Sequence, residues 1–384
     1  MVLTEAELIN IRRELHQIPE LALAEFTTIA KIRAIVGGFD QTYLETTMVP
    51  ELPTAWLVKV NGSNPVRTIG YRTDIDGLPI EEATGLPFSS VHPGRMHACG
   101  HDIHMSVALG LLSYFAENQP TDNLIFIFQP AEESISGGKL LYDSGILQGD
   151  WQLDEIYGLH DNPSLPVGTI GCRPGTLFAG TTEINLQLTG KGGHAAFPHL
   201  ANDMVVALSS WVTQLQTIVS RNVDPIVGGV VTIGQMHAGT TSNVIAGQAT
   251  ADGTIRALEQ TTIEAIQERV RQVTDGIALS FDCEAELILK QDGYLPVEND
   301  PELTTNLIDY MAKTDTVNYV EVAPAMTGED FGYLLAKIPG AMFWLGVDSP
   351  YSLHSEHLAP NEAAIQMGID AICGFLIDRM QQAQ

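Results

Sequence analysis

The chain has 384 residues, of which 45% are hydrophobic and 17% are charged, a composition typical of a folded globular protein with room for two domains. Its 47 acidic and 19 basic side chains leave a formal net charge of −28 at pH 7. Such a surface repels phosphate backbones and anionic membranes. We therefore expect no nucleic-acid partner and no membrane partner.

The amino-terminal sequence and the cysteines indicate a cytoplasmic protein. The first 20 residues show no basic end followed by an apolar run, so we expect no secretory signal. No apolar stretch reaches the length of a membrane span. The cysteines lack paired spacing, which is typical of free thiols in a reducing compartment. They are Cys99, Cys172, Cys283 and Cys373.

Strand-like and helix-like segments alternate through the first part of the chain. Apolar spacing predicts a helix over residues 4–20, and strands "AWLVKV" and "RTIGY", helix "IHMSVALGLLSYFAE", and strands "NLIFIF" and "EIYGLH" follow. This alternation favours a largely parallel sheet with helices on both faces. Ligands of such folds bind beyond the carboxyl ends of the strands.

A different pattern begins at about residue 180. From "TEINLQLTG" to "CEAELILK" the predicted order is strand, helix, strand, strand, helix, strand, which is typical of a small sheet with both helices on one side. After "DGYLPVEND" the chain resumes with helix, strand and helix. We therefore predict a catalytic domain of residues 1–179 and 289–384, with residues 180–288 inserted into it.

The stretch "HACGHDIH" at residues 97–104 concentrates side chains that bind metals. Cys99 and His101 lie two positions apart just before a predicted helix, where a thiolate and an imidazole could bind one divalent ion of the zinc class. This spacing alone is weak evidence, because a buried thiol beside an ordinary histidine gives the same pattern.

Further ligand types stand at the ends of other predicted strands. "NLIFIFQPAEE" ends in Glu132 and Glu133, of which one could bind a metal while the other faces a water; a solvated turn is the alternative. His160 ends one strand and His354 follows another. Their shared position at a sheet edge favours a two-metal site. Its candidate ligands are Cys99, His101, Glu133, His160 and His354.

Asp74 follows another short strand, in "GYRTDIDGLP", at the same predicted edge. A carboxylate at this place could hydrogen-bond a ligand histidine and fix its tautomer. Arg72 and Asp76 flank it, so a local salt bridge is an equal alternative.

These segments resemble the M20 metallopeptidases, specifically their aminoacylase and amidohydrolase branch. The resemblance covers essentially the whole chain and rests on "HACGHD", "PAEE", "GKGGHAAFPH", "TSNVIAG" and "MTGEDFG". It implies an α/β fold of the zinc-exopeptidase type, in which helices sandwich a mixed sheet and a ferredoxin-like β-α-β-β-α-β insert serves as lid and dimerisation domain. It also implies a homodimer and about two divalent ions per subunit. Cysteine and histidine ligands favour zinc, cobalt or nickel, while the carboxylates could admit manganese.

The resemblance also implies roles for individual residues. The general base of the family falls on Glu132 and its catalytic aspartate on Asp74, while its metal ligands fall on the five candidates named above. In other branches a metal-binding histidine precedes that aspartate by two positions, whereas this chain has Arg72 there.

Three residues of the predicted insert look like the substrate-side residues of the family: His194, Asn243 and Arg256. Arg256 could pair with a substrate carboxylate, although arginines also brace acidic surfaces. A glycine-rich hairpin with an incidental histidine is the other interpretation of His194.

The implied activity is hydrolysis of an N-acyl amino acid. The closer match, through "YRTDIDGLPI" and "AMTGEDFGYLL", is to enzymes that convert N-acetyl-diaminopimelate to diaminopimelate and acetate in lysine biosynthesis. A broader aminoacylase is an alternative within the same chemistry. A non-catalytic metal-dependent binding protein is a further alternative, but such a protein would not need a base such as Glu132 beside the metal. A nucleotide-binding protein lacks support, because neither G-x-x-x-x-G-K-[ST] nor G-x-G-x-x-G follows the early strands.

Overall fold

A computed structural model describes residues 2–382, and the chain forms two compact units. The first unit contains the residues up to Leu177, Val297–Ala323, and those from Asp330 onward. The second contains Phe178–Pro296 and the short segment Pro324–Glu329. None of the helices within residues 2–382 is both long and apolar enough to cross a membrane.

The helices and strands of residues 2–382 are as follows. The α-helices are α1 (Glu5–His16), α2 (Phe26–Val36), α3 (His101–Glu117), α4 (Glu132–Ile135), α5 (Gly137–Asp143), α6 (Met204–Asn222), α7 (Gln260–Phe281), α8 (Pro301–Met311), α9 (Phe331–Leu335) and α10 (Ala363–Gln381). The strands are β1 (Leu44–Val49), β2 (Leu52–Val60), β3 (Thr68–Asp74), β4 (Asn123–Gln129), β5 (Glu155–Asn162), β6 (Thr169–Cys172), β7 (Gly175–Phe178), β8 (Gly180–Thr189), β9 (Gly193–His194), β10 (Val230–Ala238), β11 (Val244–Ile245), β12 (Gln248–Ala257), β13 (Glu284–Lys290), β14 (Val297–Asn299), β15 (Asn318–Glu321) and β16 (Gly340–Gly346).

Eight strands of the first unit form one mixed sheet in the order β1-β2-β4-β3-β5-β16-β6-β15. Neighbouring strands are parallel from β4 to β16 and antiparallel at β1-β2, β2-β4 and β16-β6. The predicted mixed sheet is therefore confirmed. The largely parallel sheet inferred from the alternation of elements describes the centre of the sheet and the parallel β6-β15 pair at one edge. It does not describe the other edge, where β1, β2 and β4 pair antiparallel, or the β16-β6 pair.

The centre of this sheet is covered on both faces. Every residue of β16 is buried, and β4 is buried from Leu124 to Gln129, which is typical of strands that have helices on both sides. Helix α3 is buried on nearly every side, and its central run from Val107 to Leu112 is free of polar side chains. It packs into the main core beside α1 and α10.

The second unit contains a four-stranded antiparallel sheet in the order β10-β12-β8-β13. Along the chain the elements follow as β8, α6, β10, β12, α7 and β13. Alternate residues of β8 are buried beneath α6 and α7 while the intervening residues are exposed, so both helices pack on one face. The indole of Trp211 on α6 donates to the hydroxyl of Thr274 on α7 at 2.9 Å.

Candidate active site

Three neighbouring parallel strands of the first unit end at one place. β3 ends in Asp74, β4 ends in Gln129 directly beside it, and β5 carries His160 near its end. The carboxyl ends of adjacent parallel strands share one edge of a sheet, where such folds bind their ligands. The parallel pairing of these strands therefore places polar side chains from all three at one edge of the sheet.

The turn before α3 supplies two of the predicted ligands. Gly100 has φ +81°, and a Cβ atom there would lie 2.3 to 2.5 Å from the carboxylate atoms of Asp161, so the turn requires glycine. Nδ1 of His101 lies 2.9 Å from the carbonyl oxygen of Asp76, to which it donates. Its Nε2 is buried and has no hydrogen-bond partner among residues 2–382, which leaves that nitrogen able to bind a metal.

The structure brings all five predicted ligands together. Sγ of Cys99 lies 3.4 Å from Nε2 of His160 and 3.3 Å from Nε2 of His354. Oε1 of Glu133 lies 3.8 Å from Nε2 of His101 and 3.5 Å from Nε2 of His354. Nitrogen, oxygen and sulfur atoms that converge in this way could share a divalent cation.

The chemistry of this donor set fits an ion of the zinc class. A thiol, three imidazoles and a carboxylate are the mixed ligands that such ions accept. Burial raises the pKa of the Cys99 thiol well above its ordinary value, and the carboxylates of Glu133 and Glu132 raise it further. A bound divalent cation would offset those negative charges and favour the thiolate.

His354 reaches the site from a separate loop. Its φ of +64° is uncommon for a residue other than glycine, and its amide donates to the carbonyl of Ala98 at 2.7 Å. That hydrogen bond ties the loop to the turn that carries Cys99. The imidazole of His354 is 54% exposed while the other four candidate ligands are mostly buried, so His354 lies on the side of the site that faces solvent.

Two buried carboxylates that the sequence did not reveal as site residues hold the turn after β4. The amide of Ala131 donates to Oε1 of Glu25 at 3.0 Å, and the amide of Glu133 donates to Oδ2 of Asp76 at 3.0 Å. Glu132 lies between these two amides, is 4% exposed, and places Oε2 3.9 Å from Nε2 of His101. In the sequence Asp76 is only a neighbour of Asp74, and no pattern points to Glu25.

Arg72 is buried and lies at the centre of an ionic network. Its guanidinium donates to Oδ2 of Asp74 at 2.7 Å and to Oδ1 of Asp330 at 2.7 Å. It also donates to Oε1 of Gln129 at 2.9 Å, and the Gln129 amide group donates to both oxygens of Asp330. The local salt bridge considered for Asp74 is therefore present.

Asp74 also contacts His104. Oδ1 of Asp74 lies 2.7 Å from Nδ1 of His104, whose Nε2 lies 3.2 Å from Oδ1 of Asp161. Burial opposes the charged imidazole, yet the two carboxylates raise the pKa of His104 to about 9. Burial would also raise the pKa of Asp74, but His101, His104 and Arg72 hold it well below its usual range. Asp74 is therefore an ionised carboxylate at neutral pH.

The three predicted substrate residues belong to the second unit. His194 pairs with Val244 in the short ladder of β9 and β11, and the amide of Ala195 donates to the carbonyl of Asn243 at 3.1 Å. His194 and Asn243 are therefore close neighbours. Arg256 lies at the far end of β12 from this ladder and donates to the carbonyl of Met326 at 2.8 Å.

Residues 70–378 match the family described as Peptidase family M20/M25/M40. Among curated relatives, the N-acetyldiaminopimelate deacetylase of Limosilactobacillus reuteri (strain DSM 20016) is 62% identical over 380 residues, covering 99% of this chain and 100% of that protein. The N-acetyldiaminopimelate deacetylase of Lactiplantibacillus plantarum is 61% identical over 379 residues, covering 99% of each.

Solved structures show the same fold. A Bacillus subtilis protein described as a dinuclear metal-binding peptidase of the M20 family has a TM-score of 0.84 and 32% identity, with 98% of each chain covered. A protein of methicillin-resistant Staphylococcus aureus has a TM-score of 0.90 and 32% identity, covering 98% of this chain and 97% of that one. Because the family match and these relatives extend over most of its length, the chain belongs to Peptidase family M20/M25/M40.

Proposed function

We propose that this chain is a metal-dependent amidohydrolase that converts N-acetyl-diaminopimelate to diaminopimelate and acetate. The observation that carries the proposal is the convergence of five ligand-type side chains beside the buried carboxylate of Glu132. The names of relatives that are 62% and 61% identical supply the substrate.

The metal ligands of this proposal are Cys99, His101, Glu133, His160 and His354. When bound there, a pair of divalent ions would lower the pKa of a water molecule and polarise an acyl carbonyl. Zinc, cobalt, nickel and manganese are the candidate ions, since the ligands combine sulfur, nitrogen and oxygen.

Glu132 acts as general base and then as general acid. As base it takes a proton from the attacking water, whose oxygen forms a bond to the acetyl carbon. As acid it returns that proton to the leaving nitrogen while the C–N bond breaks, which gives acetate and a free amine. Asp74 and Asp161 hold His104 between them, and the Asp161 carbonyl accepts from Nδ1 of His160 at 2.9 Å. These contacts keep Nε2 of His160 directed at Cys99.

His194, Asn243 and Arg256 are the proposed substrate contacts. Arg256 would pair with a substrate carboxylate, and His194 would stabilise negative charge on the acyl oxygen. The net charge of −28 opposes a dicarboxylate substrate, and Arg72 does not offset it because it is buried against Asp74 and Asp330. That burial favours, as a second candidate, an amidohydrolase of less anionic N-acyl amino acids.

We also propose that two copies pair through the second unit, in the cytoplasm. Exposed apolar side chains of that unit support pairing, among them Phe197, Leu200 and Val244. The four cysteines are free thiols, which fits a reducing compartment. Light scattering coupled to gel filtration should give the mass of a dimer, and a monomer mass would contradict the pairing.

Acetate release from N-acetyl-diaminopimelate, beside a panel of other N-acetyl amino acids, tests the proposed activity. The protein would be loaded in turn with zinc, cobalt and manganese. Glu132→Gln keeps the shape of the side chain but removes the base, so kcat should fall by at least about 10²-fold while bound metal is unchanged. The exposed Glu268→Gln serves as the control and should keep the wild-type rate.

The substrate panel separates the candidates. A strong preference for the diaminopimelate compound, lost in Glu132→Gln, supports the first proposal. Equal rates across the panel would select the broader amidohydrolase. No hydrolysis with any metal would contradict catalysis and favour a metal-dependent binding protein.

A further inference from the structure

Glu25 is a fully buried carboxylate that precedes α2 and lies outside the residues matched to the family. Its Oε1 accepts from the amides of Leu23 at 3.1 Å and Ala131 at 3.0 Å. Its Oε2 accepts from the hydroxyl of Thr54 at 2.8 Å. One carboxylate thus joins the amino-terminal segment, β2 and the turn after β4.

The turn that Glu25 holds has an unfavourable backbone. Ala131 has φ 59° and ψ 38°, a left-handed conformation that residues with a Cβ rarely adopt. The amide of Gly137 donates to the Ala131 carbonyl at 3.0 Å, and a Cβ on Gly137 would lie only 1.7 Å from the Pro130 oxygen. This close turn leads directly into Glu132.

Asp76 provides the second support of the same turn. Its Oδ2 accepts from the amide of Glu133 at 3.0 Å, and its carbonyl accepts from Nδ1 of His101 at 2.9 Å. Buried carboxylates therefore hold the amides on both sides of Glu132. If the Ala131 amide were released, the chain could return to a common conformation, and the Glu132 side chain would turn with it.

We propose that Glu25 is a positioning residue for the hydrolytic reaction: by holding the Ala131 amide it fixes the left-handed turn that directs Glu132 and Glu133. This inference rests on the proposed roles of Glu132 as base and Glu133 as metal ligand. Glu25 acts through the backbone of Ala131.

Truncation of Glu25 tests the proposal against a matched control. Glu25→Ala should lower kcat on the order of 10²-fold with KM nearly unchanged, because a misplaced base costs rate more than binding. The control is Glu20→Ala. Glu20 is also buried and accepts from the amides of Thr27 and Thr28, but it does not hold the turn after β4. Glu20→Ala should keep the wild-type kcat.

Two further variants separate positioning from a general loss of stability. Glu25→Gln keeps an acceptor for the amides and a donor for Thr54, so it should retain most of the wild-type rate. Ala131→Gly makes the left-handed conformation easier to adopt. The kcat of the double variant Glu25→Ala/Ala131→Gly should therefore be at least about tenfold higher than that of Glu25→Ala. A wild-type kcat in Glu25→Ala, an equal loss in Glu20→Ala, or no recovery in the double variant would overturn the proposal.

Zinc affinity gives a readout that does not depend on the substrate. If the wild-type protein hydrolyses no compound of the panel, the proposed function is wrong. Equilibrium dialysis of Zn²⁺ then still tests the role of Glu25. Glu25→Ala should then weaken zinc binding about 10-fold or more, with recovery by Ala131→Gly and no change in Glu20→Ala. Unchanged affinity would overturn the inference. If Glu25→Ala does not fold, Glu25→Asp, which keeps the charge but shortens the reach, replaces it in both assays.

Discussion

Glu25 should also make the free energy of unfolding depend on pH. Burial, and then the nearby Asp76, raises its pKa from 4.5 to about 7. Between those two values the folded protein binds more protons at Glu25 than the unfolded chain does. The contribution of Glu25 to the free energy of unfolding therefore decreases as pH rises from about 4.5 to about 7.

Replacing Glu25 by glutamine should remove this pH dependence. Because the amide does not titrate, the stability of Glu25→Gln relative to wild type should increase as pH rises through the same window. Urea denaturation of the metal-free proteins at several pH values measures the difference. Parallel stability curves for the two proteins would show that the pKa of Glu25 is not raised by folding.

At the residue scale, the sequence revealed the ligand types but not their supports. Cysteine, histidine and glutamate at strand ends are recognisable one segment at a time, so the five candidate ligands could be predicted. The proposed role of Glu25 could not be predicted, because it depends on a hydrogen bond from the amide of Ala131, which is 106 positions away in the sequence. Asp161, directly after His160, carried no signal beyond its position.

Among the elements, the beginning of α3 depends on one glycine. Gly100→Ala would place a Cβ at φ +81° and against the carboxylate of Asp161. We expect it to lower the free energy of unfolding by at least about 1–2 kcal/mol and to weaken zinc binding, because Cys99 and His101 flank the turn. Chemical denaturation and equilibrium dialysis measure the two effects.

Gly276, an exposed position in α7, provides the matched control. No atom lies within 4 Å of a Cβ built there. Gly276→Ala should raise the free energy of unfolding by up to about 1 kcal/mol, because alanine loses less backbone entropy in a helix, and should leave zinc affinity unchanged. A loss of zinc affinity in both variants would contradict the specific role of Gly100.

Most of the major elements could be predicted from hydrophobic periodicity, including α3, β4, β5, α6 and α7. Strand direction could not, because a short apolar run reads the same in a parallel or an antiparallel pair. The antiparallel pairings of β2 with β4 and of β6 with β16 depend on contacts between distant segments. The prediction of a largely parallel sheet is therefore correct for the centre and for the β6-β15 pair, and wrong for the three antiparallel pairs.

For the whole molecule, the two units should respond differently to metal. All five candidate ligands lie in the first unit, so a bound ion should stabilise that unit by mass action. Removal of the ion with a chelator should increase hydrogen exchange in α3 and β5 while α6 and α7 keep their protection. Hydrogen exchange with mass spectrometry resolves these helices and strands. An equal increase in both units would contradict this placement of the metal.

The second unit illustrates what the sequence could and could not predict about organisation. Its four strands and two helices have regular periodicity, from which the sequence predicts a separate segment of residues 180–288. The sequence does not predict that Pro324–Glu329 belongs to the same unit, because a segment of six residues is too short to show a hydrophobic period. A β-bridge between Phe178 and Ala325 holds it there. The lid and dimerisation roles of the insert stay predictions.

The central claim is that divalent ions held by the five ligands work with Glu132 in amide hydrolysis. The most direct test is a stepwise titration of metal-free protein with Zn²⁺, in which acetate release from N-acetyl-diaminopimelate and bound zinc are measured in the same samples. We predict that the rate of acetate release rises with bound zinc and levels off near about two ions per subunit. Glu132→Gln should bind the same amount of zinc but release acetate at a rate lower by at least about 10²-fold. A full rate in the metal-free protein, or in Glu132→Gln, would contradict the claim.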